Sequence, residues 1–462
     1  MALFVDREAE LGLLEEAYRS GRPELVVVYG RRRLGKTFLI RRFLREHRGL
    51  YLVANYSERG LALLDLSRQA SAELGVRARF EWLGDLLVLA ARLLGDRPLI
   101  VIDEFQRLGG TGLLAEVQSF WDRWGPELNP MLVLVGSGVG VVERVALSYD
   151  SPLYGRVTRV LRLGGFGYRE ARVFMEGWGP EDRVRGYSVF GGTPHYLALI
   201  DDSEPLEENI LRLILEPSGP LHEEPLVILW AETREHDRYA AILEAIASGR
   251  SRLTEIADYT GIPREQLPKY LSVLEEGLGL VERVYPLGME GKPRYTRYRL
   301  TDFFFDFWFS EVHPNRGLIE LDPRAALRRV VQRLDERAGR AWETVAAEHL
   351  LLLRKRGEIA FDRLGGWWWK GTEIDLVAVD EGTSTVYFVE CKWGEADQHT
   401  LARLQAKARE FPWRRGSRRE AYIVYARRAR GLEGRPGVTV YTLEDVEEDF
   451  EANKPRVEEL EG

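Results

Sequence analysis

The sequence reads Gly30-Arg31-Arg32-Arg33-Leu34-Gly35-Lys36-Thr37 between an apolar strand and a helical stretch, and this run matches the pattern GxxxxGK[ST]. The two glycines let such a loop curl so that its backbone N–H groups converge on phosphate oxygens, and the following helix adds the positive end of its dipole. We therefore expect this loop, together with Phe38, to bind ATP. Lys36 is predicted to reach the β- and γ-phosphates, and the Thr37 hydroxyl to coordinate Mg²⁺.

An acidic pair supplies the second half of the predicted phosphate site. Residues 98–102 form an apolar strand that ends in Asp103 and Glu104. Acids at the end of a buried strand cost free energy unless they serve a site at the carboxyl edge of the sheet. We expect Asp103 to hold Mg²⁺ through water and Glu104 to polarise the attacking water.

Two further residues are candidates for the same site. Ser137 follows the apolar strand at residues 131–135, where a sensor of the γ-phosphate and a plain turn are both open interpretations. Arg156 is a candidate for stabilising transition-state charge, and the alternative is an ordinary surface arginine.

Length, composition and charge limit the kinds of protein that this sequence can be. The chain has 462 residues, enough for roughly three domains of about 150 residues. It is 45% hydrophobic and 30% charged, and no apolar run reaches the roughly 18 residues of a membrane span. With a single cysteine, Cys391, and no export signal, the sequence predicts a cytoplasmic protein without disulfides. The net charge of −8 argues against a surface coated in nucleic acid but leaves a local basic face open.

The order of strands and helices predicts an α/β fold. Continuous apolar strands separated by helices in the first part of the chain indicate a parallel sheet that is covered on both faces. The predicted divisions are an ATPase core at 1–165, a helical lid at 166–235, a helical unit with a hairpin at 236–300, and an α/β region at 301–462.

In the unit at 236–300, helices and strands follow one another in the order and spacing of a DNA-binding module. Three helices and a two-stranded wing follow one another, which is what a protein needs to place a helix in the major groove. Arg294, Arg297 and Arg299 alternate with tyrosines in the wing, in positions suited to contact DNA phosphates. The alternative is a protein-interaction spacer, because the third helix carries few cations.

The C-terminal region contains a second group of acids. Asp375 lies on a predicted strand at 373–379, and Glu390 and Lys392 lie on the next, at 386–392. Strand alternation places Glu390 and Lys392 on one face, and strand pairing brings Asp375 beside them. Both carboxylates suit Mg²⁺ or Mn²⁺, and Lys392 is positioned to activate water or stabilise charge. The alternative is a surface hairpin with a salt bridge. The preceding run at 367–369 is three tryptophans, for which edge packing and base stacking are both open.

Motifs along essentially the whole chain resemble the archaeal AAA/STAND-type P-loop ATPases. They lie at residues 4–11, 30–37, 102–106, 136–137, 153–156 and 191–197. The resemblance implies an αβα ATPase core, an adenine contact near Asp6 and Arg7, a lid that contains the turn at 191–194, and a sensor at Ser137. The middle unit resembles a winged helix-turn-helix. The C-terminal region resembles the PD-(D/E)xK restriction-endonuclease-like core, and Glu343 matches the extra acid of that core.

The expected function is Mg²⁺-dependent ATP hydrolysis coupled to a nucleic-acid transaction, with ATP and DNA as partners and with metal-dependent DNA cleavage at the C-terminal site. A homo-oligomer is a further candidate partner. The main alternative is an ATP-driven regulatory switch whose C-terminal region binds a partner and cleaves nothing. A third interpretation is a DNA-binding regulator whose C-terminal fold is residual.

Overall fold

The computed structural model describes residues 2–142, 146, 148–432 and 434–460. Contacts group the chain into two compact units, one of residues 1–164, 272–279 and 456–462, and the other of residues 165–271 and 280–455. Across the part of the chain that the structure describes, no helix has the length and apolar character needed to cross a membrane.

The first unit is built on a five-stranded sheet in which every neighbouring pair is parallel. Its elements in chain order are β1 (Ala2–Val5), α1 (Glu8–Arg19), β2 (Glu24–Tyr29), α2 (Lys36–Glu46), β3 (Gly49–Val53), α3 (Arg59–Leu74), α4 (Leu83–Leu94), β4 (Leu99–Asp103), α5 (Leu113–Leu128), β5 (Met131–Gly136), α6 (Val139–Val142) and β6 (Arg159–Arg162). The sheet order is β3-β4-β5-β2-β6, and the last strand of the chain, Val457–Leu460, pairs antiparallel with β1 outside this sheet.

Continuous burial of the central strands explains this sheet. Every residue of β2, β4 and β5 is buried, as expected when helices cover both faces of a parallel sheet. Side chains along β2 alternate between two apolar clusters, with Leu25 and Val27 in one and Val26 and Val28 in the other. The predicted α/β fold with a parallel-sheet core is confirmed.

Strand order brings the predicted phosphate residues to one edge of the sheet. β5 lies between β2 and β4, and all three strands run in the same direction. Their carboxyl ends therefore lie side by side. The loop after β2, the acids at the end of β4 and Ser137 after β5 are consequently neighbours.

The second unit begins with helices and ends in a mixed sheet. Its helices are α7 (Tyr168–Ala171), α8 (Pro180–Phe190), α9 (Pro194–Leu197), α10 (Leu206–Ile210), α11 (Glu224–Glu232), α12 (His236–Ala247), α13 (Leu253–Thr260), α14 (Leu267–Ser272), α15 (Phe303–Phe307), α16 (Arg316–Leu321), α17 (Pro323–Lys355), α18 (Gln398–Ala408) and α19 (Leu443–Ala452). Its strands are β7 (Val281–Val284), β8 (Arg297–Leu300), β9 (Arg363–Trp369), β10 (Thr372–Asp380), β11 (Thr385–Ala396), β12 (Arg419–Ala429) and β13 (Val438–Thr442).

Two sheets organise this unit. β7 and β8 form an antiparallel pair, and the N–H of Tyr298 on β8 donates to the carbonyl of Ser251 before α13. The larger sheet has the order β13-β12-β11-β10-β9, antiparallel from β9 to β11 and parallel from β11 to β13. Trp367, Phe388 and Phe411 are part of the apolar core on one face of this sheet. The predicted separate α/β region near the C-terminus is therefore present, and the finer divisions at residues 235 and 300 stay predictions.

One buried acid gives this unit a pH-dependent stability. Glu348 on α17 accepts the backbone N–H groups of Tyr168 at 2.7 Å and Arg169 at 3.0 Å. Burial and, next, the charge of Glu170 raise the pKa of Glu348 from its ordinary 4.5 to about 7. The folded state therefore binds a proton that the unfolded chain releases, so stability falls as the pH rises from about 4.5 to about 7.

Glu348→Gln is expected to weaken that pH dependence, since an amide does not ionise. The gain at neutral pH is at most about 3 kcal/mol, and it vanishes below the ordinary glutamate pKa. The measurement is the melting temperature of both proteins from about pH 4.5 to about pH 8. Parallel profiles for the two proteins would show that Glu348 does not carry the effect.

Candidate functional site

Two glycines and Lys36 determine the shape of the phosphate-binding loop. α2 begins at Lys36, and the preceding Gly35 has the left-handed φ of 85° that favours glycine. A Cβ on Gly30 would lie 2.5 Å from the carbonyl oxygen of Leu163, so no larger residue fits there without a shift of the backbone. The buried Lys36 ammonium donates to the carbonyls of Gly30 at 2.8 Å and Arg31 at 2.9 Å. The loop is thus curled around a positive charge.

Asp103 collects three hydrogen bonds at the end of β4. The hydroxyls of Thr37 and Tyr51 both donate to its Oδ2, at 2.8 and 2.5 Å, and the N–H of Glu104 donates to its Oδ1 at 2.8 Å. The two predicted Mg²⁺ ligands, Thr37 and Asp103, are therefore brought together. Tyr51 was not among the predicted residues, and burial together with its bond to Asp103 raises its pKa above the ordinary value.

Glu104 is held in a defined position next to Asp103. Its φ of 54° is left-handed, a conformation that is uncommon and strained for a residue other than glycine. Its carboxylate accepts from the Gln106 amide at 2.6 Å and from the buried Ser137 hydroxyl at 3.2 Å. Ser137 thus lies beside the predicted water-activating acid, and Gln106 is a contact that sequence reasoning missed.

Arg7 links the N-terminal segment to the loop. Its guanidinium donates to the carbonyls of Gly164 at 2.8 Å and Leu34 at 3.4 Å, and it forms an ion pair with Glu10 at 2.9 Å. The N–H of Asp6 donates to the carbonyl of Arg456, and both Asp6 and Arg7 have left-handed backbone conformations. The segment predicted to contact adenine therefore lies next to the phosphate-binding loop.

The remaining loop residues differ in exposure. Arg31 and Leu34 are buried, Arg32 and Arg33 are exposed, and Phe38 packs against Phe4 with ring centroids 5.7 Å apart.

Arg156 is engaged in an ion pair within the first unit. Its Nε and Nη2 donate to the two carboxylate oxygens of Asp122 at 2.8 and 2.7 Å. The role in transition-state stabilisation that was predicted for Arg156 stays a prediction.

The site fits ATP with Mg²⁺. The loop holds a buried ammonium in a strand-loop-helix turn, the type of turn whose backbone N–H groups bind phosphates. The Thr37 hydroxyl and Asp103 carboxylate are hard oxygen donors of the kind that Mg²⁺ prefers. No group of three or more His, Cys, Asp or Glu side chains suited to hold a metal occurs among the residues that the structure describes. A site of this type needs only one or two side chains, because phosphates and water supply the other ligands.

The C-terminal acids lie close to one another in the second unit. Asp375 on β10 accepts the backbone N–H of Cys391 at 2.7 Å. Burial and, next, the negative charge of Glu390 raise the pKa of Asp375 to about 6. Burial and, next, the charge of Asp375 raise the pKa of Glu343 on α17 to about 7. The charge of Glu390 therefore acts on Asp375, and the charge of Asp375 acts on Glu343.

A lysine that was not predicted pairs with one of these acids. Lys407 on α18 forms an ion pair with Glu390 at 2.7 Å, whereas the Lys392 side chain is exposed. β11 pairs regularly with β12 through Glu390, Cys391 and Lys392, and its register irregularity begins only after Lys392. The role predicted for Lys392 stays a prediction. The sequence signal for Lys407 is weak, because α18 folds back onto β11 only in the tertiary structure.

The three tryptophans on β9 fall into two classes. Trp367 is 1% exposed and belongs to the apolar core, so the hypothesis that it stacks on bases is wrong. Trp368 and Trp369 are half-buried and line a groove together with the segment at 294–297, and Trp369 also packs against the core that contains Trp367.

Two family models match the chain. Residues 4–200 match a family described as an ATPase domain predominantly from Archaea. Residues 308–404 match a family described as archaeal and bacterial proteins of unknown function.

Individual relatives agree with these models. An uncharacterized protein of Methanocaldococcus jannaschii is 31% identical over 406 residues, which cover 87% of this chain and 90% of the relative. An uncharacterized ATP-binding protein of the same organism is 46% identical over 44 residues, 10% of this chain and 75% of that protein. A solved Walker-type ATPase of Pyrococcus abyssi shares the fold at 22% identity and a TM-score of 0.51, over 66% of this chain and 96% of that one. The chain therefore belongs to the family, represented by the longer Methanocaldococcus relative, that joins a predominantly archaeal P-loop ATPase domain to this C-terminal region.

Proposed function

We propose that the chain is a Mg²⁺-dependent ATPase whose nucleotide cycle is coupled to a transaction on DNA. The observation that carries the ATPase proposal is the convergence of Lys36, Thr37, Asp103 and Glu104 at one edge of the parallel sheet. A strand-loop-helix phosphate site beside a paired acid is the arrangement that ATP hydrolysis requires.

Each of these side chains has a distinct part in the proposed reaction. Lys36 neutralises charge on the β- and γ-phosphates from within the loop, and Thr37 and Asp103 hold Mg²⁺. When bound, Mg²⁺ supplies charge that offsets the growing negative charge on the phosphates. Glu104 orients the attacking water and accepts its proton, with Ser137 and Gln106 fixing the carboxylate.

The DNA part of the proposal concerns the second unit. We propose that its hairpin segment is the wing of a winged helix, preceded by a lid at 166–235, and that the C-terminal sheet is a PD-(D/E)xK-type nuclease core. The charge of Glu390 acts on Asp375, the charge of Asp375 acts on Glu343, and Lys407 pairs with Glu390. These interactions support divalent-cation-dependent cleavage. Mg²⁺ or Mn²⁺ suits these oxygen ligands.

A second function has its own support. Lys407 already neutralises Glu390, and Asp375 already accepts a backbone N–H, so these acids are partly satisfied without a cation. This favours the alternative of an ATP-driven switch whose C-terminal region binds a partner and cleaves nothing.

Asp375→Ala is expected to abolish DNA cleavage and leave ATP hydrolysis unchanged, since the two sites lie in different units. Single-stranded, duplex and branched DNA are incubated with Mg²⁺ or Mn²⁺, with and without ATP. Loss of a bound catalytic cation removes several kcal/mol of charge stabilisation, so a fall of at least about 100-fold is expected. Glu395→Ala, an exposed acid on β11, is the matched control.

Cleavage by Asp375→Ala at the rate of the unchanged protein would contradict the nuclease assignment. If the unchanged protein cuts no DNA with either cation, the partner-binding switch replaces the nuclease and the ATPase proposal is unaffected.

A further inference from the structure

A groove in the second unit is lined by two segments that are far apart in sequence, residues 294–297 and residues 368–370. Its volume is about 490 Å³, and it lies where the hairpin segment at 294–297 meets the end of β9. Arg294, Tyr295 and Arg297 line it from the hairpin, and Trp368, Trp369 and Lys370 line it from the sheet. The other predicted wing contacts do not take part, since Arg299 pairs with Glu282 and Tyr298 is buried.

The charge of the groove is opposite to that of the whole chain. Four cations line the groove: Arg252, Arg294, Arg297 and Lys370. None of the described residues that line it is acidic. The chain as a whole carries a net charge of −8. Arg294 and Lys370 are exposed and lie over the rings of Tyr295 and Trp369, at 5.9 and 5.8 Å from the ring centroids. Local positive charge of this kind attracts a polyanion.

The aromatic rings of the groove are arranged as a platform. Tyr295 and Trp369 are half-buried and pack with centroids 5.3 Å apart and an interplanar angle of 49°. The Arg297 guanidinium lies 4.3 Å from the centroid of Trp368. Aromatic faces interleaved with cations are what unstacked bases and their phosphates bind, whereas the bases of a duplex are already stacked on one another.

The groove adjoins the acidic cluster. Arg297 forms an ion pair with Glu373 at 3.1 Å, and Glu373 lies two residues before Asp375 on β10. The charge of Glu373 contributes to the raised pKa values of both Glu343 and Asp375. The Arg297 side of the groove therefore contacts β10 two residues from Asp375.

We propose that this groove binds a single strand of DNA, with bases on Tyr295 and Trp369 and phosphates on Arg294 and Lys370, and directs the strand to the Glu343, Asp375 and Glu390 cluster. The choice of DNA rests on the proposed function. The assignment of the surface rests on the rings and cations of the groove.

The test is fluorescence anisotropy with a labelled oligothymidylate of about 16 nucleotides and with a duplex of the same length, using the full chain. Trp369→Ala removes a stacking face and is expected to weaken single-strand binding by about 5- to 150-fold. Trp230→Ala is its control, since Trp230 is an exposed tryptophan on α11. Its binding should equal that of the unchanged protein.

Charge is tested by a second variant, in case Trp369→Ala unfolds. The double substitution Arg294→Gln and Lys370→Gln should lower the slope of log K against log salt concentration by about 1.4, or about 0.7 for each lost phosphate contact. The control is Arg329→Gln with Lys355→Gln, two exposed cations of α17. Thermal melts of all variants establish that each is folded.

Three results would overturn the proposal. If the unchanged protein binds the single strand but the groove variants bind like their controls, the groove is not the binding site, and the proposed DNA function stands. If the duplex binds as tightly as the single strand and Trp369→Ala has no effect, bases do not stack on Tyr295 and Trp369. If the unchanged protein binds neither nucleic acid, the proposed DNA function fails with the groove.

Discussion

Replacing Lys36 with alanine is expected to abolish ATP hydrolysis and to weaken ATP binding, with the fold intact. The ammonium is held between the carbonyls of Gly30 and Arg31, at the place where the phosphates would enter the loop. Removing one positioned charge from a site that stabilises developing negative charge costs about 100- to 1,000-fold in rate. The loop itself is held by glycines and by the start of α2, so we expect little change in the melting temperature.

The measurement combines phosphate release, titration with a fluorescent ATP analogue, and a thermal melt. Arg68→Ala removes an exposed cation from α3 of the same unit and serves as the control. Hydrolysis by Lys36→Ala at close to the rate of the unchanged protein would show that this loop is not the site of turnover.

Glu104→Gln is expected to separate binding from turnover. The substitution keeps the size of the side chain and an oxygen that accepts from Gln106, but it removes the group that takes a proton from water. ATP should therefore bind with little change while hydrolysis falls by about 100- to 10,000-fold. Glu127→Gln, at an exposed position of α5, is the matched control.

The outcome for nucleotide binding decides how Glu104 acts. Loss of ATP binding in Glu104→Gln, or a melting temperature well below that of the control, would show that this residue is structural. Its left-handed backbone and its bonds to Gln106 and Ser137 make that a real alternative to a role in water activation.

The parallel sheet of the first unit was predictable because its strands are continuously apolar and a local motif marks the turn into α2. Such signals lie within a few residues of one another. The contact of Tyr51 with Asp103 was not predictable, since it joins residues 52 positions apart and depends on β3 lying beside β4. Gln106 is close in sequence to Glu104, but its role appears only once β5 brings Ser137 to the same carboxylate.

For the C-terminal acids too, contacts between neighbouring strands were predictable, and contacts that depend on the tertiary structure were not. Alternation along two paired strands predicted that Asp375 and Glu390 would approach each other, and the charge of Glu390 does act on Asp375. The lysine that pairs with Glu390 was not predictable, because Lys407 reaches Glu390 from a helix. Likewise, three consecutive tryptophans do not show that Trp367 is fully buried while Trp368 and Trp369 are half-buried and line a groove.

ATP hydrolysis at this loop is tested by phosphate release from the full, unchanged chain supplied with ATP, in Mg²⁺ and in excess chelator. Thr37 and Asp103 are placed to hold a cation beside the loop, and Glu104 is placed to act on water there. We expect steady release of phosphate that stops when Mg²⁺ is chelated. Release no faster than in buffer alone, or release that persists at the same rate in chelator, would contradict it.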